Sequence, residues 1–453
     1  MTDAPFDLAV VGGTLVTGDD AVSGHLYVRD GRVARIDEAV LPAGRVVDAT
    51  GLWVMPGFVD THVHLMDPGE TEREDFPHGT AAAAARGVTT IVEHTHSQPV
   101  RSPGDLREKV AYLRGRSHVD HGLAAHVWPE DVGSLSETWA AGVAFFKVFT
   151  CETHGVPAVA GETLRTVLRV LAAAGAPCLI HAEDDVRTRE AAARLRAEGR
   201  TDGGVIPEWR SREAELAAVE EICRAVTETS ARVTVAHVSS PQVASVVAEA
   251  RARGAHVNAE SCPQYFVLRE DEVRQEGALR KFTPPARAQT DADERAMWAL
   301  LSAGTLTHVS TDHAPSTKAQ KAAGDIWSAP FGLPGLDTTT RVLLDAVSRG
   351  LLSPSDVALR YSEMPARIMG SFPRKGSISV GADADVALID PGASVTIRDE
   401  DILSKAAWSP YSGRTLRGDV VRVFLRGIEI ARGGKPLDRF EGRFVPGKAL
   451  TSA

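Results

Sequence analysis

The sequence predicts an α/β protein: a (β/α)8 TIM barrel with a small β-sandwich domain built from both chain ends. Three observations point there. Between residues 56 and 374, short apolar runs alternate with Ala-, Glu- and Arg-rich helical stretches. Roughly eight such units imply parallel strands joined by crossover helices. Residues 1–55 and 375–453 read instead as Val- and Leu-rich strands, and are expected to pair into one β-rich domain. Several of the barrel runs also end in His, Lys or Asp, at the strand ends where barrel active sites sit.

Taken in order, the first segment holds "DLAVVGGTLVT", "HLYVRDGRVARID" and "GRVVDATGLWVM". The pair Asp30-Gly31 suits a hairpin turn, because Gly tolerates positive φ. "GFVD" then leads into His62 and His64. The helix-like "GTAAAAARG" precedes "VTTIVE", which ends in His94 and His96. "FFKVF" precedes "AGETLRTVLRVLAAAG", and "PCLIHAED" precedes "DVRTREAAARLRAEG". "RVTVAHVSS" precedes "PQVASVVAEARARG", and "AHVNAESC" and "THVSTDHAPS" continue the series. "DADVALIDPGASVTI" and "DVVRVFLRGIEIARGGKPL" return to strand texture. A doubly wound open sheet is the alternative, but no GxGxxG follows the first strand.

Bulk properties narrow the function classes. Apolar residues make up 43% of the 453, enough for a large core. The net charge is -10 with no basic cluster, so nucleic acid is not an expected partner. Cys151, Cys178, Cys223 and Cys262 form no CxxC pair, which fits a reduced, cytoplasmic setting rather than a disulfide framework. The last three read as small buried residues. "MTDAPFDLAVVGG" carries no basic n-region, so no secretory signal is expected. No apolar stretch reaches about 18 residues, so no membrane span is expected.

His62 and His64 lie two apart, so in a strand both point to one face. Such a pair is weak evidence alone. Lys147 sits inside an apolar strand, where an amine is costly unless paired or functional. His181, His237 and Asp312 close three further strands. Five strands ending in ligand-type residues are hard to ascribe to chance.

The order HxH, Lys, His, His, Asp resembles the binuclear amidohydrolase superfamily, and the whole chain resembles its cyclic amidohydrolase branch. That branch holds hydantoinases or dihydropyrimidinases, allantoinases and dihydroorotases. "PGFVDTHVH", "DPGETEREDF", "ESCPQYFVL", "KFTPPAR", "STDHAPS" and "SPYSGRTLRGDVV" carry the likeness. The resemblance implies two divalent metal ions, typically Zn2+. His62, His64 and Asp312 would hold the buried ion, and His181 and His237 the outer one. Lys147 would be N6-carboxylated and bridge both, since a neutral amine can add CO2 to give an anionic ligand. A water shared by two such ions has its pKa lowered toward ~7. Its hydroxide would attack the ring carbonyl, with Asp312 as base and then acid. The implied activity is opening of a cyclic amide or ureide ring, allantoinase- or hydantoinase-like. The alternatives are a dihydroorotase and a non-catalytic, dihydropyrimidinase-like scaffold. A homo-oligomer, tetramer or dimer, is implied as well.

Substrate positions depart from the relatives. Met66 stands where dihydroorotases carry an Arg for the substrate carboxylate. "APFGLPGLDT" nevertheless reads toward that branch. Glu152 stands where hydantoinases place an oxyanion-binding Tyr, and Cys151 before it is nearer to allantoinases. Thr283 and Gly332 would offer main-chain contacts to the ring. His94 and His96 are either a substrate-contacting or extra metal-binding pair, or polar strand termini, the latter preferred. His154 and His313 are expected near the pocket mouth, and Glu183 and Asp184 either support the residues around His181 or are solvated loop carboxylates, the latter preferred.

Overall fold

The computed structural model describes residues 5–447 except residue 95. The first five strands are β1 (Phe6–Val16), β2 (Ala21–Arg29), β3 (Arg32–Asp37), β4 (Ala43–Asp48) and β5 (Trp53–Pro56). Asp30 (φ 51°) and Gly31 (φ 73°) form the two-residue turn between β2 and β3. Both positive angles match the mirror-image turn that follows strand twist.

The barrel strands are β6 (Phe58–Val63), β7 (Val88–Glu93), β8 (Asp120–Leu123), β9 (Ala125–His126), β10 (Phe146–Phe149), β11 (Pro177–His181), β12 (Arg232–Val235), β13 (Val257–Ser261) and β14 (His308–Val309). They pair in parallel as β6-β7-β8 and as β9 through β14. Ala124 alone separates β8 from β9, so these two act as one stave. The opposite seam closes where Val63 bridges His313 and the His64 N–H donates to the His313 carbonyl at 2.8 Å. Eight staves result, as the alternation of runs predicts. All residues of β6 and β7 are buried, the pattern of strands covered on both faces. The covering helices are ordinary in construction. Gly161–Ala174 buries Leu164, Val167, Leu168 and Leu171, one stripe of a 3.6-residue repeat, and stops at Gly175 (φ 66°).

The chain ends meet. β15 (Val386–Thr396), β16 (Thr415–Leu425), β17 (Ile428–Arg432) and β18 (Lys435–Pro436) join β1–β5 in one nine-stranded sheet. The joint is the antiparallel pair β5–β15, with Val54 opposite Leu388. Leu8, Val10, Leu26, Val54, Val386 and Phe424 belong to its own apolar core.

A buried ionic clamp ties this sheet to the barrel. Lys375 contacts Asp120 of β8, Asp383 at 3.0 Å and Asp385 at 2.8 Å. Arg426, between β16 and β17, reaches Asp120 at 2.5 Å. The three carboxylates hold Lys375 above its ordinary pKa although burial opposes this. No helix among the described residues is long and apolar enough to cross a membrane.

Candidate active site

The carboxyl ends of β6, β10, β11, β12 and β14 bring six predicted residues together. His62, His64, Lys147, His181, His237 and Asp312 all line one pocket. His237 (φ 39°) and Asp312 (φ 49°) sit in left-handed backbone, a strained setting for non-glycine residues that clusters at functional sites.

Their partners fix which nitrogen faces inward. His62 Nδ1 is 2.6 Å from Glu260 Oε1, and His64 Nδ1 is 2.6 Å from the His94 carbonyl oxygen. Both rings can donate there, which leaves each Nε2 lone pair free. Both Nε2 atoms lie 3.3 Å from Asp312 Oδ1. Lys147 Nζ lies 2.9 Å from His62 Nε2. Across the pocket, His181 Nδ1 faces His237 Nε2 at 2.9 Å, while Glu183 Oε2 holds His181 Nε2 at 2.8 Å.

Burial sets the charge states. It pushes His62, His181 and His237 below their ordinary pKa, so the imidazoles are neutral. It takes Lys147 down to about 8, against the pull of Glu260 and Asp312. An amine so placed has a neutral, nucleophilic fraction at physiological pH. Burial would raise the Asp312 carboxyl, but His62 and His64 outweigh it and keep it low. Neutral imidazoles, a carboxylate and a reactive amine form a donor set for a divalent transition metal. His181 Nδ1 and His237 Nε2, 2.9 Å apart, share one proton in a hydrogen bond, and with that proton removed both lone pairs are available to a metal.

The remaining expected residues divide. Thr283 and Gly332 line the pocket. Thr283 Oγ1 donates to Glu183 Oε2 at 2.6 Å, and the Gly332 N–H donates to the Lys281 carbonyl at 2.9 Å. Gly332 has φ 109°, and a Cβ there would stand 2.2 Å from the Ala314 carbonyl oxygen. Gly332→Ala must therefore push its loop off the pocket and is expected to lower kcat/KM by about 10²-fold, checked by steady-state kinetics. Met66, Cys151 and Glu152 are not part of the lining. Met66 is fully buried in left-handed backbone (φ 56°). Cys151 Sγ is held 3.3 Å from Arg210 Nη1 behind the pocket. Glu152 is exposed.

Other readings change too. Glu183 is no solvated carboxylate: it is wholly buried and also takes Arg210 Nη1 at 3.1 Å. Burial opposes its ionisation, yet Arg210 and His181 hold it down to about 2. Asp184 caps the helix Asp185–Ala197. His313 is not at the pocket mouth. Its ring is buried, accepting the N–H groups of Gly335 at 3.0 Å and Leu336 at 3.2 Å. The pair His94–His96 splits: His94 donates to the Thr61 carbonyl at 2.9 Å, while His96 and His154 line the pocket.

Sequence reasoning missed Glu260 and Arg210. Glu260 offered the same signal as Lys147, an ionisable residue inside a strand, and is buried beside His62. Arg210 follows a short helix with no local signature, and its role arises only through distant contacts.

Lys281 and Lys321 stabilise the loop that carries Gly332. Lys281 Nζ donates to the carbonyls of Trp327 at 3.1 Å and Ala329 at 2.5 Å, and Lys321 Nζ to that of Pro330 at 2.8 Å. Burial lowers Lys281 to about 7, so the folded chain releases this proton while the unfolded chain, near 10.5, still binds it. Stability from this group therefore rises with pH between about 7 and 10.5. Lys281→Met is expected to flatten that rise relative to the parent in urea titrations at pH 7 to 10.

Comparison with known proteins agrees with this geometry. The amidohydrolase family model matches residues 53–430. An allantoinase of Rubrobacter xylanophilus is 36% identical, over 97% of each chain. A dihydroorotase of Halobacterium salinarum is 35% identical, over 94% of this chain and 98% of its own. The solved L-hydantoinase of Arthrobacter aurescens superposes with a TM-score of 0.93 at 29% identity, covering 97% of this chain and all of the other. The chain belongs to the amidohydrolase family, in its cyclic amidohydrolase branch.

Proposed function

We propose that this protein is a binuclear metal-dependent hydrolase that opens the ring of an uncharged cyclic amide or ureide, as an allantoinase or hydantoinase does. The observation that carries this is the convergence of six ligand-type side chains from five strand ends on one pocket. His62, His64 and Asp312 would hold one ion, His181 and His237 the other, and carboxylated Lys147 both. When bound, zinc or a similar ion lowers the pKa of water and polarises a carbonyl. Asp312 would take the proton of the attacking water and return it to the leaving ring nitrogen. The main chain at Thr283 and Gly332 would position the ring, and Phe149 and Phe331 add aromatic surface to the pocket wall. Glu260 orients His62, so Glu260→Gln is expected to weaken metal binding about 10–100-fold, measured by chelator competition.

Identity does not choose the substrate, because an allantoinase and a dihydroorotase match almost equally. The pocket does favour a neutral ring. Among the described residues its lining contains no arginine. The two nearby guanidinium groups are engaged elsewhere: Arg73 with Glu70, Ser316 and the Phe331 carbonyl, Arg210 with Glu183 and Cys151. The deciding experiment supplies zinc, cobalt or manganese with bicarbonate and assays hydantoin, dihydrouracil, allantoin and carbamoyl-aspartate cyclisation. Ring opening of a neutral substrate supports the reading; activity confined to carbamoyl-aspartate, or none in a metal-loaded chain, ends it. A homo-oligomer accompanies the reading, and sedimentation showing only monomer at micromolar concentration refutes that part.

A further inference from the structure

Branched apolar side chains ordinarily fill the inside of a (β/α)8 barrel. Two polar residues break that rule side by side. Glu260 of β13 and His308 of β14 are direct partners in the parallel ladder, so their side chains share one face. Both are wholly buried. Polar groups at this depth are costly unless they are paired. Glu260 Oε1 accepts from His62 Nδ1 at 2.6 Å and from the His237 N–H at 3.4 Å. Its other oxygen, Oε2, faces His308 Nε2 at 3.4 Å, and among the described residues neither of these two atoms is hydrogen-bonded elsewhere. His308 does not line the pocket.

Thr307 decides which nitrogen of His308 carries the hydrogen. Its Oγ1 lies 2.9 Å from His308 Nδ1, accepts the Ala259 N–H at 3.2 Å, and lies 2.9 Å from the Ala259 carbonyl oxygen. That carbonyl already receives the Thr307 N–H at 2.8 Å. The hydroxyl hydrogen is therefore free to turn to His308 Nδ1. A neutral ring then carries its own hydrogen on Nε2, aimed at Glu260 Oε2. The opposite tautomer would set a bare nitrogen against a carboxylate oxygen, two acceptors with no hydrogen between them in a place closed to water.

His62, Glu260, His308 and Thr307 thus form one line of polar contacts running from the pocket into the barrel. With an imidazole at each oxygen, the Glu260 carboxylate cannot turn about its last bond without stranding a buried N–H. Its fixed plane in turn keeps His62 donating through Nδ1, with Nε2 toward the pocket. We propose that His308 is a positioning residue: it pins the Glu260 carboxylate, and through it holds the His62 ring in the orientation that receives the buried metal ion. This rests on the metal-dependent reading given above.

The test measures zinc affinity by competition with a chromogenic chelator, on metal-stripped chain supplied with bicarbonate. His308→Phe keeps a ring without nitrogens and is expected to weaken zinc binding about 10–100-fold, with circular dichroism like the parent's. His308→Gln places an amide N–H near the position of Nε2 and should keep most of the affinity. His308→Asn reaches only toward Thr307 and should not. This polar pair decides the matter if the Phe variant does not fold. In a Glu260→Gln background, His308→Phe should cost no more than about two-fold further, because the group it acts through is already altered. Excess zinc should restore ring opening to the Phe variant, as a positioning role requires and a catalytic one does not. If His308→Phe binds zinc within about two-fold of the parent, if its loss is undiminished in the Glu260→Gln background, or if Gln and Asn weaken binding alike, His308 only fills space and the proposal is overturned while the hydrolase reading stands. A parent that binds no zinc ends both.

Discussion

Lys147→Ala is expected to lower ring-opening activity by at least about 10³-fold and to yield a folded chain that retains little metal. Lys147 Nζ lies 2.9 Å from His62 Nε2 and 5.3 Å from the Phe149 ring centroid, and it forms no salt bridge among the described residues. Its burial already costs the charged form, since it is brought down to about 8. Removing it therefore relieves an unfavourable cation, and folding should persist. On the reading proposed above, what disappears is the amine that would become a shared anionic ligand. Small carboxylates such as acetate should restore part of the activity by entering the space left behind. Atomic absorption on the dialysed variant, with kcat measured with and without acetate, checks both statements. Parent-like activity in a metal-loaded Lys147→Ala protein would sink the assigned role.

Lys375→Met is expected to destabilise the chain by about 3–5 kcal/mol, the cost of leaving buried carboxylates without their cation. Asp120, Asp383 and Asp385 all converge on this one ammonium, and Arg426 shares Asp120. Methionine matches the length of the side chain but cannot neutralise them. The loss falls on the junction between β8 and the terminal sheet, and none of the clamp residues lines the pocket. Urea unfolding should show a lower midpoint, and residual activity per folded molecule should change far less than stability does. The sign with pH is set by the raised pKa of Lys375: its contribution holds below about pH 10.5 and fades above it.

The barrel and the six residues gathered in its pocket were legible because their chemistry conflicts with their surroundings. A lysine inside "FFKVF" and histidines closing apolar runs contradict the local pattern, and the contradiction marks function. The pairing of the chain ends followed from their shared strand texture. Contacts made by loops were not legible. Met66 was expected at the substrate, yet a left-handed backbone packs it into the interior. His313 was expected at the mouth, yet it serves the backbone of Gly335 and Leu336. His96 and His154 lie 58 positions apart and meet only because two loops converge. Glu183 looked like a surface carboxylate until Arg210, with no motif of its own, appeared beside it.

The β5–β15 joint has a consequence for synthesis. Pro56 leaves the ribosome about 330 residues before Val386, its partner. At about 5–20 residues per second, the first five strands wait roughly 15–65 s for the strands that complete their sheet. During that interval their unpaired edge is open to other nascent chains, so translation speed and chaperone supply become determinants of yield.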